Sequence, residues 1–116
     1  MKDLIHFYRV DDLTKVRYFY EEMLGLTLYK DQKKCLIYDV FGLGKIGFCT
    51  HHPAQKNDHT CITFVYKTKE EVNEQFDKLK QLGLNPEEPS TNKTFNIYHF
   101  FVKDPLGLNL EFQVFL

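Results

Sequence analysis

The chain of 116 residues lacks several features that would assign it to a class at once. No apolar run reaches the length of a membrane span, and the opening Met-Lys-Asp-Leu-Ile-His carries no signal-peptide apolar core. Acidic and basic residues are interspersed at a net charge of −1, so neither a basic stripe for nucleic acid nor a polybasic run for a membrane surface is present. Cysteine is scarce: Cys35, Cys49 and Cys61 are an odd number in no framework spacing, which predicts reduced thiols and a cytoplasmic protein. There is no Gly-rich phosphate loop, no Ser-His-Asp order and no C-x-x-C motif, so nothing points to nucleophilic catalysis. Tryptophan is absent, and the aromatic content rests on eleven Phe and seven Tyr, enough with the aliphatic residues for one core without staples.

What is present is a repeated order of elements. Leu4 to Val10 reads as a strand, Asp11 and Asp12 offer an N-cap, and Val16, Phe19, Tyr20, Met23 and Leu24 form one apolar stripe of a helix that Gly25 ends. Strands over 26–30, 35–41 and 45–50 follow, and a polar, Pro-containing linker spans 51–58. The order then restarts. A strand over 60–67 leads to Thr68-Lys-Glu-Glu71, a capping box, and a helix with Val72, Phe76 and Leu79 on its stripe, ended by Gly83. Leu84–Glu87 reads as a short edge strand marred by Pro86 and Pro89, Ser90–Lys93 as a polar loop, and 95–102 with 108–115 as a closing hairpin. The helix ends Met23-Leu-Gly-Leu26 and Gln81-Leu-Gly-Leu84 echo each other. The chain is therefore read as α+β: two βαβββ modules, 3–51 and 59–116, forming a curved mixed sheet around a central cleft with the helices outside.

The last hairpin carries the sharpest pattern. Asp104-Pro-Leu-Gly107 is a turn, with Pro105 setting φ and Gly107 free to take angles other residues avoid. Leu108, Leu110, Phe112 and Val114 then alternate with Asn109, Glu111 and Gln113, so one face packs a core and the other is polar.

Three stretches carry a family resemblance: Arg9-Val-Asp-Asp-Leu13, Phe19-Tyr-Glu-Glu-Met-Leu-Gly-Leu26 and Asp104-Pro-Leu-Gly-Leu-Asn-Leu-Glu-Phe112. Together with the duplication they resemble the vicinal oxygen chelate superfamily, which includes glyoxalase I, extradiol dioxygenases, and fosfomycin and bleomycin resistance proteins. The resemblance implies a cleft holding a divalent metal on four strand positions, and a homodimer. Here those positions read Ile5, Gly47, Cys61 and Glu111, so one ligand of the four is kept.

The resemblance then implies a small organic molecule bound in the cleft without the standard metal set, with Phe7, Arg9, Asn96, Tyr98 and Glu111 as its contacts. Arg9 suits a carboxylate or phosphate, or else pairs internally with Glu111. Asn96, Tyr98 and Phe100 are expected to face the cleft, with Ile97, His99 and Phe101 turned away. The alternative is a divalent-metal lyase or dioxygenase, in which His6 joins Glu111 and a further ligand should the first strand be shifted by one residue. Cys49, His51, His52, His59 and Cys61 form a further constellation with soft-metal donors but no standard zinc spacing.

Overall fold

A computed structural model describes residues 1–54 and 59–116. The linker expected over 51–58 therefore falls in part, at 55–58, outside the described residues. The chain divides into two compact units, residues 1–56 and 57–116. No helix among the described residues is long and apolar enough to cross a membrane.

The first unit runs β1 (Ile5–Arg9), α1 (Leu13–Val16) with a π-helical continuation over Arg17–Met23, β2 (Thr27–Asp31), β3 (Cys35–Asp39) and β4 (Lys45–Cys49). Its sheet has the order β1-β4-β3-β2, with β1 parallel to β4 and the other pairs antiparallel. The second unit runs β5 (Ile62–Val65), α2 (Lys69–Gln81), β6 (Ser90–Asn92), β7 (Ile97–Lys103) and β8 (Asn109–Phe115). Its sheet repeats the pattern as β5-β8-β7-β6, with β5 parallel to β8. Two four-stranded mixed sheets and two helical segments thus make a two-module α+β fold in which the first and last strands of each module lie side by side.

Both helices start where the sequence places their caps. The Asp12 carboxylate accepts from the backbone N–H groups of Thr14 and Lys15 at 2.9 and 3.3 Å. The Thr68 hydroxyl accepts from the Glu71 N–H at 3.1 Å and lies 3.2 Å from its carboxylate. In the first module, however, the α-helical hydrogen bonding stops at Val16 and widens. Leu24 N–H donates to Phe19 O at 2.9 Å, five residues back. A wider turn brings successive side chains closer in angle, so the adjacent rings of Phe19 and Tyr20 can both be wholly buried, edge to face at 4.9 Å. The apolar stripe read from the sequence already includes Phe19 and Tyr20 and fits an α-helix, so it gives no sign of the widening.

In α2 the expected stripe holds: Val72 and Leu79 are fully buried and Phe76 nearly so. Gly83 ends the helix at φ +89°, with Leu84 N–H closing back on Leu79 O.

Two expectations are corrected. The edge strand expected over Leu84–Glu87 forms instead at Ser90–Asn92, the segment read as a loop, where it pairs antiparallel with β7. Pro86 and Pro89 lack the N–H a ladder needs, so pairing begins only beyond the second proline. The three cysteines are not all reduced either. Cys35 and Cys49 stand directly opposite each other on β3 and β4 and are joined as a disulfide, with Cα atoms 4.1 Å apart. Their separation of 14 residues in sequence conceals a cross-strand register that only the folded hairpin reveals.

Candidate functional site

One of the two inner strands of the second sheet, β8, divides core from site. Leu110, Phe112 and Val114 are buried. Phe112 stacks on Phe64 and on Phe100, each at 5.1 Å, and Phe100 meets Phe76 of α2 edge to face. This aromatic column fixes which way the strand faces, since a slip of one residue would drive Glu111 and Gln113 into it. The turn before β8 fixes the register. The Asp104 carboxylate, 5 % exposed, accepts from Leu106 N–H and Leu108 N–H at 2.8 Å each, and Gly107 takes φ +86°. From there Phe101 pairs with Glu111 and His99 with Gln113, so these four share one face, and Thr63 of β5 joins them opposite Glu111.

Glu111 is the hub of that face. Its Oε1 accepts from the Thr63 hydroxyl at 2.9 Å, and its Oε2 lies 2.6 Å from His99 Nδ1. An ionised carboxylate only accepts, so His99 Nδ1 carries the proton and, in the neutral ring, Nε2 is left as the acceptor. The Gln113 amide, with its nitrogen turned toward the carboxylate, reaches Oε1 at 3.2 Å and Oε2 at 3.3 Å. The Glu111 and His99 side chains are only 13 % and 11 % exposed, so these protein donors stand in for the water the carboxylate has lost. A recess of about 400 Å³ opens over the pair, walled by Phe95, Ile97, Phe101 and Phe115, with Asn92 at its edge. On the other side of Phe101 a second hollow of about 580 Å³ is lined by His59, Cys61, Glu87 and Lys103 among others. Burial pushes the Cys61 thiol above its ordinary range and the Glu111 charge adds to this, while a hydrogen bond with Thr63 at 3.9 Å opposes them.

The predicted site residues are distributed as follows. Glu111 sits at the centre of the polar face. Tyr98 and Phe100 lie on the opposite face, under α2, contrary to the expected orientation. The Tyr98 hydroxyl donates to Asn73 Oδ1 at 2.6 Å, its ring carries the Lys69 ammonium at 5.3 Å, and Phe100 is 1 % exposed. Asn96 takes φ +55° in the turn before β7, and its amide donates to Leu116 O at 2.9 Å. It serves the hairpin. His99, placed on the far face by the sequence reading, is instead Glu111's partner, and Thr63 was not singled out at all. A turn over Asp104–Gly107 alone would set residue 103 opposite 108 and bring even positions of β7 beside Glu111; the observed register pairs Lys103 with Asn109 and Phe101 with Glu111, one residue further along, which brings the odd positions there instead.

In the first unit β1 pairs with β4 in an unbroken register from Ile5 to Arg9. Tyr8 stacks on the buried Phe48 at 6.0 Å, while Phe7 and Arg9 lie opposite Gly47 and Cys49 on the other face. His6 pairs with Ile46, out of step with Phe7, so the one-residue shift that would bring it to the Gly47 face does not occur. Phe7 is half-exposed and lies across Gly47: a Cβ there would stand 2.5 Å from its ring carbons. Arg9 is exposed and makes no hydrogen bond or ion pair among the described residues. Thus Phe7 and Arg9 offer an aromatic surface and a guanidinium on one sheet face.

These positions can be tested against the divalent metal of the resemblance. Ile5 and Gly47 offer no donor, and the Phe7 ring covers Gly47. Both oxygens of Glu111 already accept from neutral or cationic protein donors that a metal would have to displace. The residues present do not fit that metal.

The model of the Glyoxalase/Bleomycin resistance protein/Dioxygenase superfamily matches residues 4–112. Among solved structures, an integron cassette protein from the mobile metagenome of the Halifax Harbour sewage outfall is 22 % identical, with 98 % of this chain and 99 % of that chain covered at a TM-score of 0.82. A fosfomycin resistance protein of Listeria monocytogenes is 19 % identical over 100 % of this chain and 95 % of its own, at 0.81. A lactoylglutathione lyase of Agrobacterium tumefaciens is 18 % identical over 96 % and 91 %, at 0.77. No curated protein sequence is significantly similar. The likeness to these structures is one of fold, whereas the family match spans nearly the whole sequence and includes both the duplicated modules and the strand of Glu111: the chain belongs to the glyoxalase/bleomycin resistance protein/dioxygenase superfamily.

Proposed function

We propose that the chain binds a small planar organic molecule on the polar face of its second sheet, without a metal mediating the contact. One observation carries this reading: the Glu111 carboxylate is occupied on both oxygens by Thr63 and His99. A carboxylate held in this way orients the histidine and leaves Nε2 as the group that meets the ligand. The recess above has apolar walls, Phe95, Phe101 and Phe115, around a few polar atoms, the composition of a small-molecule site. Phe101 is 39 % exposed and Phe95 and Phe115 more so, which leaves ring surface for a flat ligand to cover. Its polar handle would be an N–H or O–H donated to His99 Nε2. On the first unit, taken by itself, the exposed Arg9 and Phe7 are proposed to meet a carboxylate or phosphate and an apolar group.

The reading is tested by ligand-observed NMR with planar heteroaromatic fragments that carry one N–H or O–H, in buffer containing a chelator. Binding is expected for some of these fragments, to survive the chelator, and to be lost in Phe101→Ala and in His99→Ala. Absence of binding across the panel, or binding unchanged in both variants, overturns it. Binding that requires added Mn²⁺, Ni²⁺ or Fe²⁺ would favour the metal-dependent lyase or dioxygenase reading instead.

A further inference from the structure

Among the described residues outside the Glu111 site, one cluster of metal-ligating side chains is assembled by the fold. Cys35 on β3, Cys49 on β4 and His51 just beyond β4 bring one donor atom each to within 4.8 Å of one another. The cysteines are buried, and His51 is exposed at their edge, its Nδ1 3.5 Å from Cys35 Sγ. Backbone bonds set the position of that edge: Thr50 N–H donates to Lys34 O at 2.8 Å, so the segments before Cys35 and after Cys49 are tied together. The His52 ring lies 4.3 Å from that of His51, centre to centre.

We propose that reduction of the Cys35–Cys49 disulfide converts this cluster into a binding site for a soft divalent cation of the Zn²⁺ type, so that metal binding in the first unit is gated by redox state. A tetrahedral zinc with two thiolates and an imidazole holds its donor atoms about 3.6 to 3.8 Å apart. The Cys35 Sγ to His51 Nδ1 distance already matches that spacing within 0.1 Å or so. What prevents binding is the sulfur–sulfur bond, which ties up both thiols. A dithiol reductant transfers two electrons and two protons to the disulfide and is itself oxidised to a cyclic disulfide. The two thiols then release their protons as the cation binds, and two thiolates, a neutral imidazole and a divalent cation give a site of no net charge. A neutral site suits two cysteines that are largely shielded from water. The fourth position is left to solvent or to the adjacent His52.

The test uses the full chain, reduced with a phosphine or dithiol and freed of reductant without air, then titrated with Co²⁺ and with Zn²⁺ against a chromophoric chelator. The reduced protein is expected to take up one equivalent, with a thiolate-to-cobalt charge-transfer band, and the oxidised protein to take up none at that site. Cys61→Ser should leave the band intact, since that thiol is not one of the three donors brought together. His51→Ala, which leaves the disulfide pair in place, should weaken Zn²⁺ binding by at least about tenfold, the loss expected when a contributor to a metal site is removed. Cys35→Ser and Cys49→Ser should each abolish the two-thiolate band. The proposal is overturned if the reduced protein shows no such band, if oxidised protein binds equally, if His51→Ala binds unchanged, or if Cys61→Ser removes the signal.

Discussion

Removing the Glu111 carboxylate strands two donors at once. In Glu111→Ala the His99 Nδ1–H and the Thr63 hydroxyl lose acceptors that stand at 2.6 and 2.9 Å. The His99 N–H is not easily rescued by water, because the His99–Glu111 pair is about nine-tenths covered, whereas Thr63 is exposed and its hydroxyl can turn to solvent. Breaking a buried pair by deleting one partner costs about 3 to 5 kcal/mol, and the residual exposure of this one places it near the lower end, about 3 kcal/mol. Unfolding entropy of about 2.1 cal/mol/K per residue gives about 240 cal/mol/K for this chain, so the variant should melt about 12 °C lower. Glu111→Gln keeps an acceptor but not the charge, and should lose about 1 kcal/mol. The assay is a double-mutant cycle of Glu111→Ala and His99→Ala, followed by urea denaturation and by calorimetry. A coupling energy of about 1.5 kcal/mol or more is expected for a charge-assisted bond. Single-variant losses below about 0.5 kcal/mol, within the range of ordinary surface substitutions, would refute the picture of Glu111 as a hub satisfied by the protein.

Three further outcomes follow from the same geometry. Asp104→Ala leaves the Leu106 and Leu108 N–H groups without the acceptor that sets the β7–β8 register, and should cost about 2 kcal/mol by chemical denaturation; a change within about 0.5 kcal/mol would contradict this. Gly47→Ala drives a methyl against the Phe7 ring and should lower stability by about 1 kcal/mol, but the same change made in a Phe7→Ala background should raise it by about 0.5 kcal/mol, since only backbone freedom in the unfolded chain is then altered. An unchanged sign would show that the ring does not occupy that space. Cys61, the free cysteine of the described residues, should react with a disulfide reagent at a rate that rises only above the ordinary thiol range near 8.5. Its raised pKa means that the reactive thiolate forms late as pH increases, and Thr63→Val, which removes the opposing hydrogen bond, should move the rise later still. A thiol that reacts fully at neutral pH would contradict that upward shift.

Local chemistry made much of this fold legible. Asp12 and Thr68 mark their helix starts because an orphan N–H needs an acceptor, and those side chains supply one within three residues. The alternation from Leu108 to Val114 reads correctly because a half-buried strand has no freedom to present its faces differently. What the sequence conceals is pairing. His99 and Glu111 are 12 residues apart, and which face of β7 meets Glu111 depends on a turn register that no single residue declares. The assignment of Asn96 and Tyr98 to that face failed for this reason. Cys35 and Cys49 are a similar case, joined by the alignment of two strands. The π-helical turn was hidden for another reason: the stripe that includes Phe19 and Tyr20 fits an ordinary α-helix, so nothing in the pattern signals the wider turn.

The most direct measurement of the central claim is the imidazole nitrogen spectrum of His99, recorded by NMR on oxidised, isotopically labelled protein with and without an equivalent of Zn²⁺. The account predicts a protonated Nδ1 whose hydrogen-bonded proton is shifted downfield, disappears in Glu111→Gln, and is unaffected by the cation. An Nε2-protonated ring indifferent to Glu111, or a Nδ1 proton lost when Zn²⁺ is added, would contradict it.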